Sequence, residues 1–122
     1  MAKAAPDAMI DASLDYVGAG DYMCVCSTQP TTYLEAYTNN MLARVAMAGG
    51  DFVKADDVSG RKLTMAQKLA VAISNPGTAA HIAIVKTSDT TLRYVTSCTS
   101  QVLTAGGTVD IPSWKINIQD PT

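Results

Sequence analysis

A chain of 122 residues has room for one hydrophobic core and not for two. Charged residues make up only 16% of it, against roughly 25% in an ordinary soluble domain, and its nine basic residues are scattered with no stripe that would follow a phosphate backbone. With 48% apolar residues, a net charge of −2 and a mean hydropathy of +0.10, little polar material is left to cover a free monomer. An assembled subunit fits this composition better than an ordinary soluble monomer does.

The opening MAKAAPDAMIDASLDYV is mixed and mildly acidic, unlike the basic-then-apolar order of an export signal, and no run approaches the roughly 20 apolar residues of a membrane span. The expectation is a protein made without crossing a membrane. Asp7 or Asp11 is placed to cap a short helix through Ala12, Leu14, Tyr16 and Val17, with Gly18-Ala19-Gly20 to stop it. Residues 1–20 therefore read as an N-terminal arm or short helix. Their few apolar side chains suggest that folding does not need them. Residues 21–122 read as a single β-domain, because no linker divides them.

YMCVCS is a strand candidate, and TYLEAY has the length of one helical turn after Pro30-Thr31-Thr32. MLARVAMA reads as a strand ended by Gly49-Gly50, followed by FVKADD and a turn at Ser59-Gly60. RKLTMAQKLAVAIS pulls both ways. Thr64 to Gln67 fits a capping box and the composition favours helix, yet Leu69, Val71 and Ile73 alternate between tight turn signals. We read two short strands with a turn near Gln67. SQVLTAGGTVDIP has the look of a hairpin about Gly106-Gly107, and SWKINIQ puts Trp114, Ile116 and Ile118 on one face of a half-buried strand. That face needs a cover, and we expect Trp114 in the core. Short strands at such intervals predict a mainly β fold, a single antiparallel sandwich or barrel-like domain.

The only histidine, His81, lies in AHIAIV, which with TLRYVTSC forms the two arms of a hairpin across Ser88-Asp89. A three-residue loop sets Ile84 opposite Tyr94 and Ile82 opposite Thr96, matching large partners and giving His81 the company of Val95 and Ser97. A two-residue loop would bring His81 diagonally near Cys98, and with Cys24 and Cys26 close by a zinc site becomes conceivable. Cys-Val-Cys within a strand splays poorly for one tetrahedral ion, so His81 is expected as a strand residue. The odd count of Cys24, Cys26 and Cys98 argues for reduced thiols buried as small hydrophobes.

Catalytic readings are weak. A serine or cysteine nucleophile has no imidazole but His81, and no acid is evidently placed to orient the ring. Asp56-Asp57 and Asp110 could suggest a carboxylate pair, but Asp56-Asp57 are adjacent beside a turn, where solvated loop acids are the common case. Gly49-Gly50 and Gly106-Gly107 lack the pattern of a phosphate-cradling loop. No catalytic, cofactor-binding or metal residue is expected, and no cofactor.

SGRKLTMAQ, then AAHIAIVKTSDTTLRYVTSCTSQVLTAGGTVDIPSWKINIQDPT, and more loosely YMCVCSTQPTTYLEA, resemble a family of small virion structural proteins of tailed bacteriophages. The similarity runs from about Asp21 to Thr122 and is densest from Thr78 onward. It rests on SGRK, the histidine-bearing strand, LxYVTxCT and the terminal IPxWxIxIxDPT. The chain departs from the pattern at KLTMAQKLAVAIS, where less helix-prone residues are usual. The resemblance implies a non-enzymatic capsid decoration or other head-associated protein, present in many copies or as a homo-oligomer, with the major capsid protein or other virion proteins as partners. It implies no nucleic acid and no membrane, and a location in the virion after synthesis in the bacterial host cytoplasm. A neck or tail component, or a small non-virion binding module, is the alternative.

Overall fold

The computed structural model describes residues 7–56 and 60–118, with the side chains of residues 7–9 left aside. Among the described residues an α-helix, α1 (Asp7–Gly18), precedes nine strands: β1 (Tyr22–Cys26), β2 (Met41–Ala46), β3 (Phe52–Asp56), β4 (Arg61–Met65), β5 (Lys68–Ala72), β6 (Gly77–Lys86), β7 (Thr91–Leu103), β8 (Thr108–Ile111) and β9 (Trp114–Ile118). All the strand pairs are antiparallel. They form a four-stranded sheet in the order β2-β1-β6-β7, a three-stranded sheet β3-β4-β9 and the pair β5-β8. The arrangement is sandwich-like, and the described strands do not close into a barrel.

The inner strands of the four-stranded sheet explain their own sequences. β1 and β6 are flanked on both sides, and their near-continuous apolar runs bury both faces, as strands covered twice must. Met23, Val25 and Ile84 point into the main core, where they meet Leu63, Met65 and Ile116 from the three-stranded sheet and Val71, Val109 and Ile111 from the β5-β8 pair. Cys24, Cys26, Ala83 and Val85 point the other way, into a second cluster with Ala36 and Met41. A π-helical turn, Glu35–Asn39, covers that second face, closed by the bond from Asn40 N to Glu35 O at 2.8 Å. This answers to the expected helical turn in TYLEAY.

The short helix expected here forms, as α1, but it packs into the core where the apolar count suggested an arm that folding does not need. Ile10, Leu14 and Val17 of α1 are 2%, 0% and 7% exposed and belong to the main core. Their spacing of four and three residues is one face of a helix. One flank of that face is tied down by charge: Arg61 donates to Asp11 at 2.9 Å and Lys54 meets Asp15 at 2.6 Å. At the C-terminal end, the Arg93 guanidinium lies 4.0 Å from the Tyr16 ring centroid and donates to Tyr16 O. The chain then turns sharply into β1 through Gly20, where a Cβ would lie 2.5 Å from Ile84 Cγ2. A sequence count of apolar residues misses this because three well-spaced side chains suffice to make a helix part of the core.

Two further expectations are corrected and one region is settled. The hairpin expected about Gly106-Gly107 does not form. β8 pairs with β5, and the turn itself binds Ile73 through Ile73 N to Gly107 O (3.0 Å) and Gly106 N to Ile73 O (3.1 Å). The residues of the Arg61–Ala72 stretch are strands β4 and β5 despite their helical propensity, since ladders on β3, β9 and β8 outweigh a few tenths of a kcal/mol per residue. The alternation of Leu69, Val71 and Ile73 breaks, however. Leu69 and Ala70 together oppose Asp110 in a β-bulge, Ala70 takes a φ of 53°, and Leu69 turns outward to 62% exposure while Val71 and Ile73 stay buried.

Candidate functional site

The β6-β7 ladder sets Ile84 opposite Tyr94, Ile82 opposite Thr96 and His81 opposite Ser97, the register expected from matching large partners. The connection is longer than expected, since β6 ends at Lys86 and β7 begins at Thr91. A bulge between Ile84 and Val85 absorbs the difference and leaves Arg93 as the extra residue. Arg93 is held there by Asp89 at 2.8 Å and by Thr91 Oγ1 at 2.8 Å. On the other flank His81 faces Cys26, so Cys26, His81 and Ser97 form a row across three strands.

The row has little chemistry available to it. Burial pushes the thiols of Cys24 and Cys26 up to about 12, with each further disfavoured by a neighbouring cysteine, so neither is a thiolate near neutral pH. Cys26 Sγ instead donates to Ala36 O at 3.5 Å. His81 Nδ1 is buried with no hydrogen-bond partner among the described residues. Ser97 is exposed. Among the described residues no group of three or more His, Cys, Asp or Glu side chains is gathered as a metal would need.

The acids and glycines weighed in the sequence have local structural partners. Asp56 meets Arg61 at 2.7 Å, while Asp57 lies outside the described residues. Asp110 accepts from Ala70 N at 2.9 Å and so holds the β5 bulge. Gly49 and Gly50 lie in a 3-10 turn whose Asp51 accepts from Ala48 N and from Lys68, both at 2.8 Å.

Cys98 differs from the other two thiols. It is half-buried and lines a cleft of about 500 Å³ between β7 and the β8-β9 segment, floored by Val25, Ile82 and Ile111 and edged by Thr96 and Trp114. Trp114 is half-buried where the main core meets this cleft. Its ring stacks on Tyr94 with centroids 6.1 Å apart, and its Nε1 donates to Met23 Sδ at 3.4 Å.

A second feature, not singled out from the sequence, is an aromatic group on the outer face of the four-stranded sheet. Tyr33 and Tyr37 stack at 5.3 Å, Tyr22 meets Tyr37 edge-on at 5.4 Å, and the Arg44 guanidinium lies 4.1 Å from the Tyr37 centroid while donating to Tyr37 O. The available signal was the tyrosine spacing in TYLEAY, which places two rings on one side of a helical turn.

No protein-family model, curated protein or solved structure matches the chain. No described helix is long and apolar enough to cross a membrane.

Proposed function

We propose that the chain is a non-enzymatic structural protein of a tailed-bacteriophage virion that decorates or cements the capsid by binding the major capsid protein. The observation that carries the reading is a β-domain whose thin charge coat leaves large apolar side chains in solvent on several elements. Leu34, Val53, Leu69 and Val102 are 61%, 56%, 62% and 76% exposed. Side chains of this kind scattered on separate elements suit a subunit touched by several neighbours. The sequence resemblance from Thr78 onward supports the same reading. Contact with the capsid then runs through these apolar side chains and through strand edges, which accept extended segments by backbone hydrogen bonding.

Gel densitometry of purified virions tests this directly. Decoration gives hundreds of copies per particle, a neck or tail role about a dozen, and a non-virion binding module none. A count near a dozen or zero would move the protein off the head shell.

A further inference from the structure

The exposed side chains Leu34, Val53, Leu69 and Val102 are not presented in the same way. Leu34 sits on ordinary helical backbone, at φ −63° and ψ −37°, and Val53 and Val102 lie in regular register opposite Thr64 and Thr78. Leu69 is outside because its strand is broken. Val71 and Ile73 point inward, so an unbroken β5 would set Leu69 on their face, opposite Ile111 and in the core. The bulge gives that place to Lys68, and Leu69 and Ala70 share the outward side against Asp110 alone.

Every feature of this bulge works against the stability of the fold. Ala70 takes left-handed backbone at a φ of 53°, which a side chain with a Cβ rarely adopts. The β5-β8 ladder is interrupted, and a leucine is kept out of the core. Asp110 holds the arrangement in place, its Oδ1 accepting from Ala70 N at 2.9 Å. Strained backbone persists where its surroundings enforce it, and it gathers at functional positions. The ion pair of Lys68 with Asp51 does not call for it. Taking out Leu69 leaves Lys68 opposite Ile111 and Val71 opposite Val109, with Ala70 alone against Asp110. A bulge that merely blunted a sheet edge would have no use for a leucine at its tip.

We propose that Leu69 is the anchor by which the β5-β8 pair binds its partner, entering an apolar socket with a basic side chain at the rim. The exposed positions on this side of the pair are Leu69, Ala70 and Ala72 of β5 with Thr108 and Asp110 of β8. Small neighbours leave the leucine standing clear, and Asp110 is the one charge among these residues. A second copy offering the same face would bring carboxylate toward carboxylate with no cation between them, so the complementary surface is a different protein's. The inference rests on the capsid reading above and names a contact within it: the socket belongs to the major capsid protein.

The test mixes the full chain with capsids of the encoding phage purified without it, and reads binding by co-sedimentation. Leu69→Ser is expected to weaken binding about tenfold or more, the contribution of one leucine taken out of water, with circular-dichroism melting unchanged. Leu69→Met keeps an apolar tip and should bind within about twofold of the wild type. Val53→Ser, a contact made without strain, should weaken binding less than Leu69→Ser does. Deleting Leu69 should abolish binding and leave the melting temperature at or above that of the wild type. A wild-type chain that does not bind capsids overturns the capsid reading and this contact with it. Binding that survives Leu69→Ser, or that Val53→Ser reduces as far, overturns this contact alone. So does a deletion variant that melts well below the wild type, since the fold itself then needs the bulge, or a chain that self-associates through Leu69 when no capsid is present.

Discussion

The two faces of the four-stranded sheet are closed in different ways. The inner face meets two further sheets and a helix, and its cluster is built from Ile, Leu, Met and Val. The outer face has small side chains on the strands, Cys24, Cys26 and Ala83 among them, and a short irregular segment laid over them with Tyr33 and Tyr37 as its weight. The same two-residue alternation along β1 and β6 feeds both. Large aliphatic side chains suit a face that meets regular elements about 10 Å away, while small ones let a single turn lie close to the sheet. The inner face should therefore carry global stability, and the outer face should open locally.

The largest effect is expected on the inner face. Leu14 is fully buried, so Leu14→Ala should cost roughly 2–5 kcal/mol in denaturant unfolding, and deleting residues 1–18 should abolish cooperative melting. A truncated chain that melts cooperatively would show that the sheets close the inner core without α1, and the contrast between the two faces would fall.

The outer face offers a smaller and more local test. Tyr37→Ala removes a ring that touches Tyr22, Tyr33 and Arg44, at a cost of roughly 1–2 kcal/mol. Reaction of the native protein with a thiol reagent at pH 8 should be confined to Cys98: burial raises its thiol too, but it alone is reachable from the cleft, while Cys24 and Cys26 are fully buried and pushed up to about 12. In the variant, Cys26 should become reactive under native conditions with melting still cooperative. Equal reactivity of Cys26 in both proteins would mean that the tyrosine lid does not shield it.

The smallest effect concerns the charged tie on α1. The Arg61 guanidinium hydrogen-bonded to Asp11 holds that carboxyl below its usual range. A depressed carboxylate stabilises the fold above its unfolded value and loses that contribution as pH falls through the folded one. Asp11→Asn should thus lower the melting temperature slightly at neutral pH, with the difference vanishing at pH values below the ordinary carboxylate range. A difference that persists in strong acid would point to lost packing rather than lost charge.

Much of the local organisation was legible in the residues, and the candidate site only partly so. SWKINIQ and YMCVCS declare themselves as strands, and the match of Ile84 with Tyr94 and Ile82 with Thr96 was enough to set a register. His81 was placed correctly beside Ser97, yet its other neighbour, Cys26, lies 55 positions away in the chain and no local pattern points to it. Cys98 was expected among buried thiols and instead lines the cleft, because β7 is an edge with β8 and β9 standing off from it.

What the sequence determined by itself was therefore whatever short-range periodicity and turn chemistry can carry: where strands run, where they stop, and which side chains share a face. Which strand takes which partner was decided only in the tertiary structure. TVDI and SQVL flank a turn suited to a hairpin, but β8 gains more by burying Val109 and Ile111 against β5 and the common core than by lying beside its chain neighbour. The helix likewise enters the core through three residues whose value depends on the pocket that β3 and β4 make for them. Backbone hydrogen bonds satisfy any strand equally well, so the choice among partners falls to the apolar surface that each pairing removes from water, and that surface is assembled from residues far apart in the chain.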